Sequence, residues 1–231
     1  MTVLFSLPPP VLVPTSTGDQ FPVRRILCVG RNYAAHAREM GRDPDREPPF
    51  FFTAWAETVV LNGAIVAYPP KTVDFQYEAE LVVAIGRAGR NIRSDVALSH
   101  AWGYACGLDM TRRDLQLEAR ANGRPWDTGK NVEQSSPLGL IRKAGEGFDP
   151  GRGAIRLSVN GTVKQDAQLS DMIWPVADII SYLSGLYRLE PGDLIYTGTP
   201  SGVGPVVEGD VITVNIDGLD PLTVRIGPRA S

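Results

Sequence analysis

Apolar residues along this chain come in short runs bounded by glycine, proline or a charged residue, and few follow the spacing of a helix. Runs at Ile26–Val29, Phe50–Phe52, Val59–Val66, Leu81–Ile85, Gly103–Leu108, Ile155–Asn160, Leu194–Thr197, Val211–Ile216 and Leu222–Ile226 predict strands. The turns Pro191-Gly-Asp and Glu208-Gly-Asp punctuate them, and Asn160-Gly161 predicts a hairpin. Helical periodicity is clear in Thr111–Ala121, where Thr111 and Asp114 read as a capping-box-like start. It is clear again in Pro175–Leu186, with Val176, Ile180, Leu183 and Tyr187 on one stripe and Pro175 suited to the first turn. Short helices are expected at 94–100 and from Asn32 to about Met40, the second stopped by Gly41 and Asp43-Pro44. The charged, proline-rich segment 42–49 reads as a loop. Strands outnumber helices and do not alternate with them, which argues against a doubly wound sheet or a (β/α) barrel. The pattern predicts a mostly β, α+β domain over 23–231, with residues 1–22 as a short N-terminal extension packed on it.

With 231 residues, 43% of them hydrophobic, the chain can bury a core of its own. A formal charge of −3 without a basic run excludes an electrostatic case for nucleic acid. No apolar stretch reaches the length of a membrane span, and the proline-broken start lacks the basic head of a signal peptide. Cys28 and Cys106 each sit inside an apolar run and read as buried free thiols. A cytoplasmic protein is expected.

The chemistry is concentrated in acids. Glu78 and Glu80 stand one residue apart and open into Leu81-Val-Val-Ala-Ile85, so on a strand both point to one face at the edge of a core. Asp109 ends a second apolar run. Carboxylates placed so repel one another and lose hydration, which favours either a proton or a cation between them. His36 and His100 lie far apart in sequence, which argues against a histidine–cysteine zinc site. All-oxygen ligands favour magnesium or manganese, with calcium as a substitute. On a helix His36 and Glu39 are neighbours, and a carboxylate beside an imidazole raises its basicity, as a general base needs. His100 reads as structural or exposed. Lys130, a lone lysine after glycine, reads by itself as solvated. Gly123–Lys130 fails as a phosphate loop because five residues separate its glycines and Asn131 follows the lysine. Thr197–Gly204 is glycine-rich after a strand but is followed by no helix, so it is a candidate loop for a small anion and not a dinucleotide fingerprint.

These segments together resemble the fumarylacetoacetate hydrolase family from about Ile26 to Ile226. The resemblance rests on Gly-Arg-Asn-Tyr-Ala-Ala-His-Ala-Arg-Glu-Met, Glu-Ala-Glu-Leu, Gly-Leu-Asp-Met-Thr-Arg-Arg-Asp-Leu-Gln, Gly-Arg-Pro-Trp with Gly-Lys, and Gly-Asp-Leu-Ile-Tyr-Thr-Gly-Thr-Pro-Ser-Gly-Val-Gly. Within the family the chain is most similar to the branch that hydrolyses fumarylpyruvate in gentisate breakdown, through the stretch Arg42–Phe52. The resemblance implies a mixed β-sandwich roll, usually a homodimer, with a magnesium or manganese ion on Glu78, Glu80 and Asp109. It implies a His36–Glu39 dyad, Lys130 beside the metal, and a keto-acid substrate held by Arg113, Gln116 and Thr199, with Arg31 and Tyr33 also in the substrate site. The implied activity is hydrolysis of a carbon–carbon bond in an acylpyruvate. Oxaloacetate decarboxylation or keto–enol tautomerisation is the alternative on the same site, and keto-acid binding without turnover is another. Ala54-Trp55, Gln76 and Asn131-Val132 depart from the family's pattern near the implied site.

Overall fold

The computed structural model describes residues 4–34 and 48–230. Its larger sheet runs in the order Phe50–Ala54, Arg25–Gly30, Asp193–Tyr196, Ala79–Ile85, Ala101–Leu108, Ser136–Leu138, Val59–Leu61, and Arg142–Lys143 also pairs with Ala101–Leu108. A five-stranded sheet runs Thr162–Gln168, Ala154–Val159, Val211–Ile216, Leu222–Arg229, Ile65–Tyr68. Both sheets are mixed, since Asp193–Tyr196 lies parallel to Arg25–Gly30 and Leu222–Arg229 parallel to Ile65–Tyr68 among antiparallel neighbours. The mostly β roll expected from the sequence is the fold observed.

The unbroken apolar character of Ala79–Ile85 follows from burial on both faces. Leu81, Val83 and Ile85 enter the main core, while Val82 and Ala84 enter a second one. Arg25–Gly30 divides the same way, Leu27 and Val29 against Ile26 and Cys28. The main core is completed by Ile155, Leu157, Ile212 and Val214 of the second sheet and by Ile180 and Leu183 of the helix Val176–Leu186. On the opposite face lie Val13 and Phe21, from the paired strands Leu12–Pro14 and Gln20–Pro22. Each such aliphatic side chain contributes about 1.5–3 kcal/mol by leaving water. The strand that carries Glu80 is buried along its whole length. Cys28 and Cys106 are buried free thiols, as expected.

Several expectations need correction. Val59–Val66 is two strands, Val59–Leu61 and Ile65–Tyr68, in different sheets, and a turn closed by the Ala64 amide on the Leu61 carbonyl separates them. Thr111 and Asp114 form no capping box. Thr111–Arg112 pairs with Phe75–Gln76, the helix starts at Arg113, and the Asp114 carboxylate accepts from Thr72 Oγ1 at 2.5 Å and the Val73 amide at 3.0 Å. Tyr187 lies beyond its helix and is exposed, and Ile179 and Ser184 join the buried stripe in its place. The polar strand Thr162–Gln168 was missed, because among its side chains only Gln165 is buried. The helix expected from Asn32 and the loop at 42–49 fall largely on residues 35–47, outside the described residues.

Candidate active site

Strand register brings the three acids together. Ala79 and Glu80 face Leu108 and Gly107 across the antiparallel pair, and the Asp109 amide donates to the Glu78 carbonyl at 2.9 Å. Glu80 is on the strand, while Glu78 stands at the break between Phe75–Tyr77 and Ala79–Ile85, so they converge although only one belongs to a strand. All three are buried, and each offers a carboxylate oxygen within 4.8 Å of the others.

Among the described residues, two cations are bonded directly to this cluster. The Arg113 guanidinium donates to Glu78 Oε1, to Gln116 Oε1 and to Gln76 Oε1. Lys130 Nζ donates to Glu78 Oε2, Asp109 Oδ2 and Thr111 Oγ1, each at 2.7 Å. Lys130 is thus buried, against the solvated position its isolated context predicted. The reason is Gly129, which lets the short helix Asp127–Lys130 close on Arg113–Ala121: a Cβ there would lie 2.8 Å from Gln116 Cβ. Among the described residues, three carboxylates stand against two bonded cations.

Burial dominates the ionisation of the groups. Burial first, then repulsion by Asp109 and Glu78, raises Glu80 well above the usual carboxylate range, although Gly198 donates its amide to Glu80 Oε2 at 2.8 Å. Burial pushes Asp109 up to about 6, with Lys130 opposing and Glu78 adding to the rise. Burial works against the Lys130 ammonium, but Asp109 and Glu78 outweigh it and hold the proton on. A buried, all-oxygen donor set fits a hard divalent cation.

The acids line a cavity of about 30 Å³, together with Arg31, Arg113, Gln116 and Thr199. Phe52, Trp126 and Lys130 also border a larger concavity of about 390 Å³, walled by Phe50, Phe51 and Pro125. Arg31 lies beside the edge-to-face pair Phe50 and Trp126, its Cζ 5.1 Å from the Phe50 ring centre and 5.9 Å from that of Trp126. Tyr33 is buried in the adjoining core with its hydroxyl unpaired, and burial, then Glu80, raises its pKa. Phe50, Phe52 and Trp126 were not picked out from the sequence, where the signal was their place inside the quoted motifs. His36 and Glu39 lie outside the described residues. His100 is buried away from the acids, its Nδ1 3.0 Å from the Arg87 carbonyl oxygen.

The departures from the family's pattern are satisfied locally. Gln76 accepts from Arg113 and donates to Asp74. Asn131 accepts from the Trp55 amide at 2.7 Å and donates to the Thr53 carbonyl at 3.1 Å, and Val132 is buried.

A double-faced sheet presenting a buried acid cluster to a cavity is the frame on which one family is built: the profile "Fumarylacetoacetate (FAA) hydrolase C-terminal" matches residues 25–227, and the chain belongs to the fumarylacetoacetate hydrolase family. Its relatives include a fumarylpyruvate hydrolase of Ralstonia sp, 50% identical over 191 residues that cover 82% of this chain and 99% of the other. The crystal structure of fumarylpyruvate hydrolase from Pseudomonas aeruginosa in complex with Mn2+ and pyruvate superposes with a TM-score of 0.96 at 48% identity, covering 99% of this chain and 100% of that one. A mitochondrial oxaloacetate tautomerase of Homo sapiens is 39% identical over 206 residues, 88% of this chain and 91% of the other.

Proposed function

We propose that this protein is a metal-dependent hydrolase of acylpyruvates, with fumarylpyruvate as the substrate and fumarate and pyruvate as products. The observation that carries the reading is the buried cluster of Glu78, Glu80 and Asp109, open to a cavity that Arg113, Gln116 and Thr199 also line. Those three carboxylates would hold one magnesium or manganese ion, which supplies Lewis-acid stabilisation of the negative charge that develops on the keto-acid end. The relative solved with Mn2+ and pyruvate supports this choice of ion and ligand.

Arg113, Gln116 and Thr199 hold the substrate carboxylate and fix its orientation. His36, backed by Glu39, takes a proton from water, whose oxygen adds to the distal carbonyl carbon. The carbon–carbon bond to the methylene then breaks, its electron pair leaves with the pyruvate enolate, and protonation of that carbon completes pyruvate. Lys130, whose ammonium is stabilised by Asp109 and Glu78, would serve as a donor to the oxyanion. Arg31, packed on the aromatic pair Phe50 and Trp126, suits the second carboxylate of a fumaryl group. Tyr33 supports the wall behind Glu80.

The test is an assay of the purified protein with manganese against fumarylpyruvate, acetylpyruvate and oxaloacetate. Release of fumarate and pyruvate supports the reading, and turnover of oxaloacetate alone would refute it. The tautomerase relative favours a second reading on the same site, keto–enol exchange or decarboxylation of oxaloacetate, which needs no attacking water. Binding of keto acid without any product would mark a non-catalytic relative. We further propose a cytoplasmic homodimer acting in aromatic catabolism, with 23–231 as one catalytic domain and 1–22 as its extension. No described helix is long and apolar enough to cross a membrane.

A further inference from the structure

Gln165 is fully buried on the otherwise polar strand Thr162–Gln168, and its amide spends every bond on the site. Its Oε1 accepts from the amide of Ala79, the residue between Glu78 and Glu80, at 2.9 Å. Its Nε2 donates to Thr199 Oγ1 at 2.9 Å and to the Pro200 carbonyl at 2.8 Å. The amide cannot be flipped: the reverse assignment would set its carbonyl against the Pro200 carbonyl and its NH2 against the Ala79 N–H.

This fixed polarity decides the hydroxyl of Thr199. A hydroxyl has one proton and two lone pairs. With one lone pair taken by Gln165 Nε2, the proton is left to donate elsewhere, and Thr199 borders the cavity that contains the acids. We propose that Gln165 is a positioning residue that commits the Thr199 hydroxyl to donate to an anionic ligand oxygen and sets the Thr199 loop at a fixed distance from the Glu78–Glu80 segment. The acid segment and the glycine-rich loop, already joined by the Gly198 amide on Glu80, are then also bridged by a side chain from the second sheet. The inference rests on the reading of the cavity as a keto-acid site.

The experiment measures oxalate binding by calorimetry on manganese-loaded protein, together with manganese binding to the metal-free protein. Gln165→Glu keeps an acceptor for Ala79 but turns an acceptor toward Thr199, so the hydroxyl donates inward and its proton is lost to the ligand. Oxalate affinity is expected to fall about tenfold, the scale of one hydrogen bond to a charged group, with manganese affinity changed less than threefold. Thr199→Val is expected to show the same loss, Thr199→Ser to retain affinity, and Gln165→Glu combined with Thr199→Val to lose no more than either alone. Gln165→Met removes both arms and should weaken manganese as well as oxalate binding, and it carries the same test if the carboxylate variant does not fold. Parental oxalate affinity in either Gln165 variant, or losses that multiply in the double variant, would overturn the proposal while the keto-acid reading stands. A parent protein that binds manganese but no oxalate would overturn both.

Discussion

Glu80→Gln should make the metal-free protein more stable while removing its response to metal. The substitution keeps an oxygen for the Gly198 amide and deletes one charge from a cluster whose ligand atoms lie within 4.8 Å of one another. At that separation and an effective dielectric of about 20, each repulsion is worth ~3 kcal/mol. Glu80 has two such neighbours, Asp109 and Glu78, and Lys130 offsets about one of them, leaving ~3 kcal/mol to be relieved. In a chain of this size that is roughly 6–12 °C in Tm. Glu80 and Asp109 both have folded-state pKa values raised above their unfolded ones, Asp109 to about 6. Groups of that kind favour the folded state at low pH and lose that contribution as pH rises through the folded value. The gain from Glu80→Gln should accordingly grow as pH rises from 5 to 8. Thermal melting of chelator-treated protein across this range, with and without manganese, reads the effect. The parent should gain stability from manganese most strongly at pH 8, and the variant should gain little at any pH. A metal-free variant that melts below the parent at pH 8, or one that keeps the parent's full manganese shift, would refute the reasoning.

Lys130→Met leaves Glu78 and Asp109 buried without their shared cation, so metal-free protein should lose about 3–5 kcal/mol in denaturant titration, and hydrolysis should fall at least a hundredfold even with manganese bound. Unchanged turnover would remove Lys130 from the chemistry. His36→Ala should bind manganese as the parent does and lose hydrolysis of acylpyruvates in a pyruvate-release assay. Arg31→Met should raise KM for fumarylpyruvate tenfold or more and leave acetylpyruvate, which lacks the second carboxylate, nearly unaffected; equal effects on both would deny Arg31 a role in selectivity. Gly198→Ala forces a side chain at a φ of 98° and within 2.7 Å of Asn32 Cβ, so it should cost about 1–3 kcal/mol and weaken manganese binding by moving the amide that faces Glu80.

Glu80 was legible because strand periodicity and an apolar flank act locally: it leads directly into the buried run Leu81–Ile85, whereas Glu78 joins it from a break between two strands. The buried thiols and the Asn160-Gly161 hairpin were legible for the same reason. Lys130 was legible only through the family resemblance, since its burial depends on Gly129 meeting Gln116 on another helix, a contact that sequence spacing does not encode. Gln165 was invisible because Thr162–Gln168 turns most of its side chains to solvent, so its strand lacks the apolar alternation that marks one. Thr111 and Asp114 matched a helix start in pattern, but pairing with Phe75–Gln76 claimed Thr111 first. The general lesson lies in range: residues whose partners are a few positions away were readable, and those whose partners come from another layer were not.

Asn131 gives the cleft a feature with consequences for any exchange of activity between relatives. Its amide pairs with the Thr53 carbonyl and the Trp55 N–H as a further peptide unit would, so one side chain splints the end of the Phe50–Ala54 edge to the helix bearing Lys130. Segments 53–55 and 130–132 therefore behave as a single graft. Transplanting either alone would strand a main-chain donor and let the ammonium drift from its aromatic wall.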